Sequence, residues 1–539
     1  MGPRQPVHRD PAGRADAAPD AGRLRLRARL YRLPHRPPCG PGHRRERGDR
    51  RERRERRRRH ARTPPDRSAA AVTTTSTPPS HGTAAAEGPR IAPGPRGKPG
   101  FGSLVPYRRD PAQFLLRLQR DHGQLSRMRM GPYTVHLATS PDAVRRVLVE
   151  NQANYVRGKL YEQFRLVMGT GLLTSDGRAW RGHRRAVQPA FARSAIEAIV
   201  PNVVEATSEM LARWEAAERA GEPVDLVAEM MRLTLVTLSR SLFGYDISAR
   251  TALMKEVVDD SIEVMFPHGY VSEMLPTWLP TSRNRLIRRN RRIYDEVVAD
   301  IRANHAATGE GVLVRLAEEA RDPETGEPWS DTEIRDELLT IYLAGHETTA
   351  TAACWTLHSV ATHRWVREEL EGELARALGG SAPDVGELAT LDYTRMVIEE
   401  SLRLYPPIWL YPRDAVEDDV LDGYHIPGGS SVLLSPLVSH RNPEVWENPE
   451  EFDPSRFTPE AAKGRPRMAY FPFGGGPRMC IGNLMATLEL KIILAMVCQR
   501  FRLEPVPGEL LRYGDSLISL RPMSAMWVRL RSREGTDHG

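Results

Sequence analysis

Phe471-Pro-Phe-Gly-Gly-Gly-Pro-Arg-Met-Cys480-Ile-Gly482 presents one cysteine in a glycine-rich loop that runs directly into the apolar segment Ile481–Val497. Gly474, Gly475 and Gly476 permit the positive-φ conformations of a tight turn, and Pro477 fixes the next step. A helix starting near Cys480 favours the thiolate over the thiol. A lone thiolate held this way, with amide donors aimed at sulfur, has the features of an axial haem ligand. Inert burial is the commoner fate of a single cysteine, so the rest of the chain has to decide.

Phe473, Gly476, Arg478, Cys480 and Gly482 match, position by position, the pattern F-x-x-G-x-R-x-C-x-G of the cytochrome P450 family, which the chain resembles over roughly residues 90 to 531. The resemblance implies a mainly α fold with small β-sheets, with haem between a long oxygen-binding helix and the cysteine-loop helix. It makes Cys480 the proximal iron ligand, with Phe473 beside it and Arg478 reaching a haem carboxylate. The sequence contains no C-x-x-C-H, so the expected group is non-covalent haem b.

Glu400-Ser-Leu-Arg403 lies in a helical pattern over Tyr393–Leu404 that Pro406-Pro407 ends. Positions i and i+3 share a face, so Glu400 and Arg403 can pair. Phe452-Asp-Pro-Ser-Arg-Phe457 resembles the family loop whose arginine, here Arg456, completes the pair structurally. Ser455 departs from the glutamate frequent there.

Ala344-Gly-His-Glu-Thr-Thr349, inside the helical stretch Ser330 to His363, matches the family's oxygen-binding motif A-G-x-[DE]-T-T. The small pair Ala344 and Gly345 lets a ligand approach the backbone, and Thr348 bonds to a carbonyl one turn back or to something else. A helix interrupted there would open a notch. The resemblance makes Thr348 and Glu347 the catalytic pair that supplies protons to dioxygen. His346 occupies a freely varying position and is not expected to bind metal.

Trp180-Arg-Gly-His-Arg184 resembles the family's W-x-x-x-R, and Arg413 the arginine of the strand after Pro406-Pro407. With Arg478 they would give three guanidinium forks and one indole around two haem carboxylates.

The formal net charge of +8 is unevenly placed. The first 80 residues hold 22 arginines, no lysine and 8 acidic residues, so the remainder carries −6. We read residues 1–90 as an Arg/Pro/Ala-rich disordered leader, 91–531 as the haem domain and 532–539 as a tail. Three readings stand for the leader: nucleic-acid binding, a targeting segment, or translation from a misassigned start covering 1–71, with Val72 the alternative. Cys39, Cys354, Cys480 and Cys498 form no close pair, which fits a reducing cytoplasm and neither a disulfide scaffold nor a zinc site. No apolar run of about twenty residues suggests a membrane anchor.

Helices are expected over Pro111–His122, Pro141–Glu150 (capped by Ser140), Ser194–Glu218, Asp225–Leu242, Thr251–Met265 and Arg283–His305, with paired strands Leu125–Met130 and Tyr133–Ala138. Asn151–Gly177 reads as a loop over the haem and Pro267–Pro280 as a lid. Ile341, Leu343, Ala344, Ile408, Trp409, Leu410, Leu517 and Ile518 are the expected distal wall. Their apolar character suggests a terpenoid, fatty acid or polyketide-like substrate from secondary metabolism. Arg181, Arg185, Lys463, Arg465 and Arg467 would steer an acidic ferredoxin or flavodoxin, itself served by a reductase using NAD(P)H.

The expected function is therefore a monomeric haem-thiolate monooxygenase inserting one oxygen atom of O2. A haem-thiolate sensor or electron carrier would not need Glu347 and Thr348, and a nucleic-acid binder would depend on the arginine leader.

Overall fold

Ser330 opens the helix around which the rest is arranged. Its hydroxyl accepts from the Glu333 amide at 3.3 Å, while the Glu333 carboxylate accepts from the Ser330 amide at 2.8 Å. This reciprocal cap satisfies two donors that a helix start otherwise leaves without partners. The helix then runs over Asp331–Thr362 and is buried on nearly every side. The computed structural model describes residues 90–158, 160–265, 276, 278–507 and 519–533. Almost all of the leader, most of the Pro267–Pro280 lid, Leu517, Ile518 and the end of the tail lie outside them.

Helices of eight or more residues are numbered in chain order. They are α1 Pro111–His122, α2 Leu160–Met168, α3 Gly177–Val187, α4 Val200–Ala220, α5 Leu226–Leu238, α6 Thr251–Met265, α7 Ser282–Thr308, α8 Val312–Glu319, α9 Asp331–Thr362, α10 Arg364–Leu378, α11 Asp392–Leu404 and α12 Asn483–Arg500. Helix α9 packs along α5, with α11 and α12 against it. The strands are β1 Leu125–Met130, β2 Tyr133–Ala138, β3 Tyr155–Val156, β4 Val224–Asp225, β5 Tyr411–Ala415, β6 Asp419–Leu421, β7 Tyr424–Ile426, β8 Ser431–Leu434, β9 Phe501–Pro505 and β10 Trp527–Ser532.

One sheet has the order β1-β2-β8-β5-β3, with β2 parallel to β8 and the other pairs antiparallel. A second, β4-β10-β9, ties the start of α5 to the C-terminal strand, and β6-β7 is a hairpin. Mainly α architecture with small sheets is thus the observed fold.

Local pattern placed many elements to the residue: α1, β1, β2 and α6 coincide with the expected spans. Ser140 caps the helix at Pro141 through the Ala143 amide, although its last turn, Arg146–Glu150, widens to π geometry. The Asn151–Gly177 segment is not simply a loop. It contains β3 and α2, whose cavity-facing Tyr161, Phe164 and Met168 are spaced one turn apart, a short helical period masked in sequence by Gly158 and Gly169.

The segment leading to α2 is held by Asp419, which accepts from Arg146 (2.9 Å), Asn151 (3.0 Å) and the Tyr155 hydroxyl (2.9 Å). Burial alone would raise this carboxyl, but its donors outweigh burial and hold it at about 2, below the ordinary 3.8. A lowered value means the stabilisation is present above the unfolded-state pKa and is lost as pH falls towards about 2. Asp419→Asn should therefore cost about 2 kcal/mol at neutral pH and flatten the acid limb of urea midpoints measured between about pH 4 and 2. An acid limb as steep as the parent's would remove this role.

Candidate active site

The cysteine loop is shaped by two glycines. Gly474 and Gly476 have φ of 73° and 65°, whereas Gly475 is extended. A Cβ on Gly476 would lie 1.9 Å from the Leu148 carbonyl, so only glycine fits there on both conformational and steric grounds. The Cys480 amide donates to the Phe473 carbonyl at 2.9 Å and closes the loop. Helix α12 begins only at Asn483, so the thiol stands three residues ahead of it. Burial pushes the Cys480 thiol up, against the Gly482 amide and Arg184. The helix start thus does not by itself deliver the thiolate preference expected from sequence.

Cys480 faces a cavity of about 320 Å³ whose opposite wall is α9, with Ala344, Gly345, Glu347 and Thr348. Helix α9 is unbroken through this motif, contrary to the expected interruption. Its hydroxyls bond inward: Thr348 donates to the Ala344 carbonyl at 2.9 Å and Thr349 to Gly345 at 3.0 Å. The small residues alone leave the space. Glu347 accepts from the Ser519 hydroxyl at 3.0 Å, and burial raises its carboxyl, with Arg521 and Ser519 opposing. His346 points away; it is buried, bonds the Tyr342 carbonyl and is lowered by burial to about 4. Among the described residues no cluster of metal-ligating side chains exists.

One corner of the cavity is cationic. Arg157, Arg184, Arg413 and Arg478 line it with Trp180. Arg478 lies 4.5 Å over the Trp180 ring and donates to Asp176 (2.5 Å) and the Ser175 carbonyl (2.9 Å). Burial, then Arg157 and Arg413, lower its guanidinium to about 9, with Asp176 opposing. Arg184 donates to the Met479 carbonyl at 3.0 Å and Arg413 to Pro412 at 2.7 Å. The Nη1 of Arg478 and the Nε of Arg157 are buried without a partner.

Several buried cations with unpaired donors around one carboxylate call for further anionic oxygens. A flat, mostly apolar group bearing two carboxylates fits this corner, with the thiol on one wall and the small residues of α9 on the other. Arg157 and Tyr161 are site residues that sequence reasoning missed. Arg157 lies 4.6 Å over the Tyr161 ring, and Arg157 and Arg413 overcome burial to lower that phenol. Nothing in the local sequence Tyr155-Val-Arg157 marks it.

Ile341, Leu343, Ala344 and Ile408 line the cavity as expected. Trp409 and Leu410 do not: they are buried among Leu115, Met128, Leu137 and Leu437 beneath the larger sheet. Their neighbours Ile408 and Tyr411 are the residues of this segment that line the cavity. Phe164, Met168, Leu172, Leu238 and Val258 complete the apolar wall.

Outside the cavity, Glu400 and Arg403 form a fully buried pair at 2.6 and 2.8 Å, and Arg456 approaches Glu400 at 3.4 Å. Asp453 caps the turn that carries Arg456, its carboxylate accepting from the Ser455 amide and hydroxyl.

The cytochrome P450 family model matches residues 92–527. Cyclooctatin synthase from Streptomyces melanosporofaciens is 36% identical over 430 residues, covering 78% of this chain and 91% of that protein. Cyclooctat-9-en-7-ol 5-monooxygenase from the same organism is 36% identical over 422 residues, covering 77% and 90%. The haem domain of cytochrome P450DA superimposes with a TM-score of 0.73 at 28% identity, covering 83% of this chain and 99% of that one. Among the described residues no helix is long and apolar enough to cross a membrane. With its thiol opposite the Ala344-Gly345 wall and arginines gathered at one edge of the cavity, the chain belongs to the cytochrome P450 family as a haem-thiolate monooxygenase acting on hydrophobic small molecules.

Proposed function

We propose that this monooxygenase holds haem b with Cys480 as iron ligand and oxidises a terpenoid. The observation that carries the reading is one cavity bounded by Cys480, the Glu347–Thr348 pair and the cationic corner together. When bound, the haem supplies an iron centre that activates dioxygen. Arg157, Arg184, Arg413, Arg478 and Trp180 hold its carboxylates, and Phe473 packs beside the thiolate. The apolar wall excludes water and orients the substrate by shape. Terpenoid is preferred over fatty acid or polyketide because among the described residues the apolar end of the wall offers no cation for a carboxylate, and two relatives are named for cyclooctatin and a cyclic alkenol.

Glu347 and Thr348 are the acid and the alcohol that move protons inward. Burial raises the Glu347 carboxyl above the ordinary carboxylate range, the direction that suits a donor. The Thr348 hydroxyl, now spent on the Ala344 carbonyl, is freed by rotation about one bond. Thr348→Ala should leave haem binding and the substrate-induced Soret shift intact. It should also lower the yield of oxygenated product per oxygen consumed by about 10- to 100-fold, with hydrogen peroxide released instead. A variant with unchanged coupling would favour a sensor or electron carrier.

Electrons come from a separate ferredoxin or flavodoxin, reduced ultimately by NAD(P)H. Arg181, Arg185, Lys463 and Arg467 are exposed and supply a cationic docking face. Arg465 is withdrawn from this set: it stacks on Trp446 at 4.4 Å and bonds the Arg456 carbonyl.

A further inference from the structure

The segment Gly169–Ser175 joins α2 to α3, and its Leu172 and Leu173 line the cavity. Three successive amides of this segment are taken up by side chains. Thr170 donates to Asp336 at 2.7 Å, Gly171 to the Thr174 hydroxyl at 3.1 Å and Leu172 to Glu337 at 2.9 Å. Asp336 and Glu337 are neighbours on α9, two turns before Ala344.

The contact between this segment and α9 is backbone to helix. A Cβ on Gly169, whose φ is 74°, would lie 2.0 Å from Asp336 Oδ2, and one on Gly171 would lie 2.4 Å from the Thr340 hydroxyl and 3.0 Å from the Asp336 carbonyl. Side-chain exposure is 0% for Glu337 and 8% for Asp336. Asp336 also accepts from Arg335 at 2.6 Å. His183 Nδ1 stands 2.8 Å from Glu337 Oε2 but off the line of a hydrogen bond, and Glu337 Oε1 has no partner among the described residues. Burying two acids costs more desolvation than burying apolar side chains of like volume would. What apolar packing lacks is the means to fix two particular amides.

The far end of the segment is held separately, by Arg165 on the Thr174 carbonyl at 2.6 Å and by Arg478 on the Ser175 carbonyl at 2.9 Å. Loss of the acids would therefore free Thr170–Leu173 and leave the arginine corner in place. We propose that Asp336 and Glu337 are positioning residues for regiochemistry: they clamp the Thr170 and Leu172 amides to α9, and so set where Leu172 and Leu173 press on the substrate and which of its carbons is oxidised. The inference rests on reading the cavity as the site of terpenoid oxidation. The acids act through the two leucines and touch no substrate themselves.

The test uses the full-length holoprotein and a panel of cyclic mono-, sesqui- and diterpenes. Asp336→Leu and Glu337→Leu should keep haem content and the thiolate Soret band, and shift the ratio of regioisomeric products by about 5-fold or more. Asp336→Asn and Glu337→Gln keep an acceptor and should hold the parent ratio. Independently of activity, hydrogen exchange should quicken at the Thr170 amide in Asp336→Leu and at the Leu172 amide in Glu337→Leu, and stay slow at Ser175 in both. Gly171→Ala leaves both acids in place and lifts the segment by its Cβ, so it should shift the ratio as the leucine variants do; it carries the test if those fail to accumulate. Parent ratios in the leucine or alanine variants, amides that exchange no faster, or acceptor-keeping variants that shift the ratio as far as leucine does, each overturn the clamp while the terpenoid reading stands. A parent that oxidises no member of the panel overturns the terpenoid reading and the clamp with it.

Discussion

Cys480→Ser is expected to abolish the red-shifted Soret band of the reduced, carbon monoxide-bound protein and monooxygenation with it, while haem still binds. The loop is closed by the Cys480 amide to the Phe473 carbonyl and by the two positive-φ glycines, none of which involves sulfur. The anchors Arg157, Arg413 and Trp180 lie on other segments, and Arg478, in the same loop, is held by Asp176 and the Ser175 carbonyl and not by the thiol. Binding and ligation are therefore separable. Changing outer-shell partners of a metal typically costs about 10- to 100-fold in activity, so loss of the thiolate itself should exceed that range. Cys480→His should bind haem with the Soret position of histidine ligation. A parent protein already showing that position, or a serine variant keeping the thiolate band, would refute the assignment of Cys480.

Arg403→Ala should prevent accumulation of folded protein. All five N–H donors of Arg403 are used: Nε and Nη2 on Glu400, Nη1 on the carbonyls of His440 (2.8 Å) and Pro449 (2.7 Å), and Nη2 also on Glu451 (2.9 Å). Glu400 in turn accepts from the Asp453 amide at 2.8 Å. The residue thus gathers three loop carbonyls that no strand or helix satisfies. Its removal strips Glu400 of its two-pronged partner, leaving Arg456 at 3.4 Å and the Asp453 amide, and strands three carbonyls, at a cost of about 3–5 kcal/mol, a large part of a domain's net stability. Arg403→Lys keeps the charge and loses the fork, so it should fall nearly as far. The readout is the soluble yield of protein with a thiolate Soret band, together with the urea midpoint of what remains. A lysine variant within about 1 kcal/mol of the parent would show that charge, not fork geometry, holds this region.

Much of the site was legible in advance because its key parts are local. The cysteine loop, the Ala344–Thr349 motif and the Glu400–Arg403 pair each depend on residues within about one turn of chain, where glycine conformation and helical spacing act directly. The continuity of α9 was misjudged because Thr348 and Thr349 both bond back to carbonyls four residues earlier, which the helix accommodates without a break. Trp409 and Leu410 were misplaced for a different reason. Apolar character says that a side chain is buried, not which of two cores receives it.

The sequence by itself determined the family and the spans of α1, β1, β2 and α6, and singled out Cys480 as the candidate thiol, since periodicity and turn chemistry are written in neighbouring residues. Only the tertiary structure decided that Arg157 joins Arg184, Arg413 and Arg478 at the cavity, and through which partners they are held. Arg478 meets Ser175 across 303 positions of chain, and Arg157 joins them from the segment before α2. Such meetings are set by how helices pack around α9, and packing depends on the whole buried surface instead of any short run of residues.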